Sequence, residues 1–121
     1  MHIRNVNEIQ KEVARARHGE TALYQYIFGQ QCATAIELPQ TKRFSCFWRM
    51  TVKPGGTNKV HVHDDQEQIY FVLEGEGIMV VGDEKEEVKQ GDAIYLPVGI
   101  GHAFINNSEK SCILLAIGTY I

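Results

Sequence analysis

Between Thr21 and Gly118 the chain never runs far before a turn former stops it. Gly29-Gln30-Gln31, Pro54-Gly55-Gly56, Gly75-Glu76-Gly77, Gly82-Asp83, Gln90-Gly91-Asp92, Pro97-Val98-Gly99 and Asn106-Asn107-Ser108 punctuate it. A turn about every 8–12 residues is the spacing of an all-β sandwich or barrel. The segments between are β-formers: TALYQYIF (Thr21–Phe28), ATAIEL (Ala33–Leu38), FSCFWRMTVK (Phe44–Lys53), IMVV (Ile78–Val81), AIYLP from Ala93, His102–Ile105 and CILLAIG (Cys112–Gly118). A short charged strand runs to Val88, and the acidic run Asp83–Glu87 reads as a solvated hairpin. One helix is expected, near Asn5 to His18. There Val6, Ile9, Val13 and Ala16 recur at helical spacing, Asn7 with Gln10 resembles a capping box, and Gly19 suits a helix end. The division expected is a helix over residues 1–19, packed on the barrel or on a partner subunit, and a single β-barrel over 20–121.

Composition narrows the partners. A net charge of −3 and a pI near 5.9 leave no basic face for nucleic acid or an anionic membrane. No run approaches the roughly 20 apolar residues of a membrane span. The start, MHIRNVNEIQKEVARARHG, carries charges every few residues and no apolar core, so no leader is expected and the protein is placed in the cytoplasm. Cys32, Cys46 and Cys112 form no CxxC pair and read as reduced, half-buried thiols.

The chemistry is concentrated in Gly55–Gly75, GGTNKVHVHDDQEQIYFVLEG. Along a strand, His61 and His63 face one way while Val60 and Val62 face the other. Two adjacent imidazoles in an apolar interior are costly unless something satisfies them, and a metal ion would. His102 offers a third nitrogen, and Glu67 or Gln68 a fourth ligand; satisfied core histidines are the alternative. His2 and His18 read as surface residues.

Two linked motifs resemble those of the cupin family, small β-barrels of the jelly-roll type. Gly55, His61, His63 and Gly75 occupy places in the first, and Gly91, Pro97, Gly99, His102 and Asn106 fill the second, with a short spacer from Glu76 to Gln90. The resemblance covers about Phe44 to Ile117. It implies an all-β double-stranded β-helix (jelly-roll) barrel, here with a short N-terminal α-helix, and a divalent transition metal: Fe, Mn, Ni, Co or Zn. Cupins commonly dimerise through their N-terminal strands, so a homodimer involving Thr21–Leu38 and the preceding helix is expected.

One departure matters. Counting back from Gly75 puts Gln68 in the family's carboxylate-ligand position, where it would ligate through its amide oxygen. Alternation agrees, since Gln68, Tyr70 and Val72 share a face and Glu67, Ile69, Phe71 and Leu73 the other. Counting forward from His63 selects Glu67 instead, which a bulge would permit. The metal set implied is therefore His61, His63, Gln68 and His102, with Tyr70 and Glu67 as the nearby acid–base candidates. Trp48, Arg49, Met50, Phe104 and Tyr95 are further candidates to line the barrel, with Arg49 able to bind an anion if inward. The resemblance allows a metal-dependent dioxygenase, isomerase or lyase acting on a small polar or anionic molecule, or a non-catalytic small-ligand module. Fold does not choose between them.

Overall fold

A computed structural model of the protein describes residues 1–13, 20–29 and 41–121. Its strands are β1 (Glu12–Val13), β2 (Ala22–Phe28), β3 (Phe44–Val52), β4 (Gln66–Glu74), β5 (Glu76–Val81), β6 (Glu84–Lys89), β7 (Ala93–Leu96), β8 (His102–Ile105) and β9 (Cys112–Tyr120). They form two antiparallel sheets, ordered β1-β2-β3-β9-β4-β7 and β6-β5-β8. The all-β jelly-roll expectation is met, and most strand bounds fall within two residues of those expected. ATAIEL, Cys32 and His18 lie outside the described residues.

Alternation builds the core. Tyr24 and Tyr26 from β2, Trp48, Met50 and Val52 from β3, Tyr70 and Val72 from β4, and Leu114 and Ala116 from β9 all turn inward. Met79, Val88, Leu96 and Phe104 close the cluster from the remaining strands. Burying each large apolar side chain contributes about 1.5–3 kcal/mol. Trp48 stands edge-on to both Tyr24 and Tyr26, with ring centroids 5.5 and 5.2 Å apart. Cys46 and Cys112 are free thiols, as expected, but wholly buried rather than half-buried. Among the described residues no helix is long and apolar enough to cross a membrane.

The expected N-terminal α-helix is a correction. Among the described residues of that stretch only Val6–Glu8 turns, as a single 3-10 turn capped by Asn5, whose side chain accepts from the Asn7 amide. Glu12 and Val13 then pair with Tyr24 and Leu23 as an edge strand. A lone helix of this length is marginal in water, and the sheet competes for its backbone. Gln25 Nε2 donates to the carbonyls of Val6 and Ile9 at 2.9 and 2.6 Å, and Arg4 donates to Tyr26 O. The carbonyls a helix would have used are taken by β2.

The histidine segment also differs from a regular strand. It touches its neighbours through two isolated bridges, Thr57 with Ile105 and His61 with His102. The facing nonetheless alternates: His61 and His63 are buried, Val60 and Val62 exposed.

Asn106, one of the motif residues, holds the β8–β9 turn. Its amide donates to Val52 O and Lys110 O at 3.0 and 2.7 Å, and its oxygen accepts from the Ser108 amide and hydroxyl. Asn106→Ala would remove all four of these hydrogen bonds from the turn, so urea unfolding is expected to show a loss of about 2–4 kcal/mol. A loss within experimental error would mean that the turn holds without it.

Candidate metal centre

Local geometry brings the histidines together. Lys59, at φ 56°, is the non-glycine residue with left-handed backbone among those described. Its carbonyl accepts from His61 Nδ1 at 2.9 Å. With Nδ1 so engaged, His61 would meet an ion through Nε2. Reciprocal backbone bonds then join His61 to His102, at 3.1 and 3.0 Å. His63 is pinned by Gly99, whose amide donates to its carbonyl at 2.8 Å.

The three rings converge. Their centroids lie 4.3 Å apart for His61 and His102, 5.0 Å for His61 and His63, and 5.5 Å for His63 and His102. One ring nitrogen from each falls within 4.8 Å of the others, and all three residues are buried. Clustered buried imidazole nitrogens of this kind fit a divalent transition metal, for which neutral imidazole is a standard ligand.

β4 supplies the facing wall. Gln66, Gln68, Tyr70 and Val72 point inward. Register with β9 is regular from Gln66 to Val72, the irregularity coming only between Val72 and Glu74. A bulge moving Glu67 inward is therefore absent. Glu67 lies on the outer face, accepting from Tyr95 Oη at 3.1 Å, and that hydrogen bond raises the Tyr95 pKa. Gln68 is buried, with Nε2 3.4 Å from Cys46 Sγ and 3.3 Å from Gln66 Oε1. Its Oε1 is buried without a hydrogen-bond partner among the described residues. Tyr70 stands edge-on to His102 at 5.6 Å, and its hydroxyl accepts from Asn58 Nδ2 at 3.1 Å. Trp48, Met50 and Phe104 line the interior, while Tyr95 is exposed and Arg49 is half-buried, donating to Gln25 Oε1 rather than facing an anion site.

Sequence reasoning missed three polar residues. Gln66 continues the inward alternation of Gln68 and Tyr70, and two amides on one inward face were the available signal. Its Nε2 lies 3.3 Å from His63 Nδ1, and its Oε1 meets Ser45 Oγ. Ser45 reaches it because the β3 register shifts between Phe44 and Cys46, turning both Ser45 and Cys46 inward. Asn58 is wholly buried and also accepts from the Phe104 amide; the loop sequence carried no signal for it. Gly118 completes the packing, since a Cβ there would sit 2.5 Å from Ser45 Oγ and 2.8 Å from Cys46 Sγ.

Burial holds the protons of the interior acids. It pushes the Cys46 thiol up to about 12 and Cys112 to about 11, and raises the Tyr24 and Tyr70 phenols as well. A raised folded pKa contributes stability that is complete below the unfolded value and is lost as pH climbs toward the folded one. Unfolding free energy is therefore expected to fall from about pH 9 toward about 12, with a shallower slope in Cys46→Ala. Urea titrations at stepped pH check this; identical slopes would remove Cys46 from the account.

Comparison with known proteins agrees with the geometry. The stretch 48–118 matches the Cupin_2 family, a cupin domain. An uncharacterized protein of Methanocaldococcus jannaschii is 44% identical over 55 residues, which are 46% of this chain and 44% of that protein. The oxalate-binding protein of Thermotoga maritima is 30% identical over 71 residues, 59% of each. A crystal structure of a predicted oxalate decarboxylase from Thermotoga maritima superposes with a TM-score of 0.81 at 22% identity, covering 99% of this chain and 100% of that one. At that identity the likeness shows the fold alone. Among the first curated relatives, the matches span only 44–61% of the relative's own length. With more than half of its length matched by the family and with both motifs in place, the chain belongs to the cupin family.

Proposed function

We propose that the barrel holds a divalent transition metal on His61, His63 and His102, with Gln68 as the fourth side chain of the site, and acts as a metal-dependent enzyme on a small polar or anionic molecule. Dioxygenase, isomerase and lyase chemistry are the types in view. The observation that supports it is the convergence of three buried ring nitrogens within 4.8 Å. Three neutral imidazoles and an amide add no charge, so the ion keeps its full 2+ and favours an anionic partner. The oxalate-binding relative is named for such a ligand.

The non-catalytic reading has one observation in its favour. Glu67 faces outward, and the interior acids Tyr70 and Cys46 hold their protons far above neutrality. Acid–base work would then fall to the metal's own ligand. A homodimer is the assembly we propose, since Ile69, Phe71, Tyr95 and Ile117 leave the outer face of the larger sheet apolar and exposed.

Elemental analysis of untagged protein purified anaerobically tests the metal. Near-stoichiometric transition metal is expected in the wild type and none in His61→Ala/His102→Ala. Equal content in both would place the ion elsewhere. Sedimentation velocity is expected to show about twice the 13.7 kDa chain mass, and a monomer would sink the assembly.

A further inference from the structure

The hydrogen-bond chain from His63 through Gln66 to Gln68 constrains what each can offer an ion. A neutral imidazole carries one N–H, and an amide has one donor end and one acceptor end. If His63 ligates through Nε2, its hydrogen sits on Nδ1, which must donate. Gln66 presents Nε2 to that nitrogen at 3.3 Å, so a donor would face a donor. Rotating the Gln66 amide by half a turn brings Oε1 to His63 and removes the conflict.

The rotation is not local. It carries Gln66 Nε2 to the place where Oε1 accepted from Gln68 Nε2 at 3.3 Å. Ser45 and Cys46, the other groups on this chain, tolerate either polarity because hydroxyl and thiol both donate and accept. Gln68 does not, and must turn its own amide so that Oε1 accepts from Gln66. Its Nε2 then takes the buried place where Oε1 now lacks a partner. That place lies on the inward face of β4, between Gln66 against His63 and Tyr70 against His102.

We propose that metal loading sets this chain so that Gln68 is an N–H donor aimed at an anionic oxygen ligand on the ion, rather than a metal ligand. Gln66 is the positioning residue that couples it to His63. With Gln66 in place, His63 Nε2 and Gln68 Oε1 are not available to one ion together. The inference rests on the metal centre proposed above.

Co(II) titration against a competing chelator, with acetate as the anion probe, tests it on the full chain. In the wild-type background, Gln68→Leu is expected to weaken acetate binding to the Co(II) form about tenfold, with the loss falling on acetate and not on Co(II). Gln66→Glu replaces the amide with a group that only accepts, from His63 on one oxygen and Gln68 Nε2 on the other. Gln68 Oε1 is then free to ligate, and in that background Gln68→Leu is expected to weaken Co(II) itself about tenfold or more. Circular dichroism checks that each variant folds; if Gln66→Glu does not, the wild-type arm decides alone. A tenfold loss of Co(II) affinity from Gln68→Leu in the wild-type background would overturn the donor role. Co(II) bound equally well by His61→Ala/His102→Ala would instead overturn the metal centre, leaving the two failures distinguishable.

Discussion

The reciprocal backbone bonds between His61 and His102 are the contact on which the site depends. They are the link that brings the HxH segment, with almost no ladder of its own, against β8. Two bonds of about 1 kcal/mol each would hold such a segment poorly, so its position is shared with other anchors. Asn58 accepts from the Phe104 amide, Thr57 donates its hydroxyl to Phe104 O, and Gly99 holds the His63 carbonyl. Each anchor reaches β8 or the turn before it. The smaller sheet thus carries His102 directly and the other two histidines by attachment, and a shift of β8 would move all three rings together.

Facing this trio is a wall that belongs to the larger sheet. Gln66, Gln68 and Tyr70 come from β4, and Ser45 and Cys46 from β3 through the bulge. Gly118 on β9 pairs with both Cys46 and Gln68, and its missing side chain lets the amide–thiol–hydroxyl cluster close. Buried polar groups are costly when unpaired. Ser45, Cys46, Gln66 and Tyr70 each find a partner in or beside this cluster, whereas Gln68 Oε1 is left without one on the inward face of β4. That unanswered acceptor marks where the hydrogen bonding of this amide–thiol–hydroxyl cluster stops.

Much of this was legible from residue order. Turn formers and β-rich runs located the strands, and period-two alternation put Gln68 and Tyr70 inward and Glu67 outward. The same alternation held for His61 and His63 even though they sit on a bridged segment, because an extended backbone alternates whether or not it is paired. What was not legible depended on contacts between distant residues. Val6, Ile9 and Val13 fit a helical stripe, yet Gln25 claims the carbonyls of Val6 and Ile9. Periodicity carries no record of that competition. Asn58 and Ser45 were invisible for a similar reason: one acts from a loop, the other from a bulge, and neither obeys a strand's period.

Substituting an amide for a carboxylate does more than remove one negative charge. A carboxylate accepts at both ends, so it can face a donor on one side and an ion on the other without choosing. An amide must commit one end to each, and its neighbour must match. Gln68 adjoins Gln66, itself an amide with the same obligation, and Gln66 adjoins His63, whose tautomer is tied to ligation. The polarity of three side chains is therefore one variable. The site's preference for an ion, and for what the ion carries, is set along the whole row and not at the fourth ligand position alone.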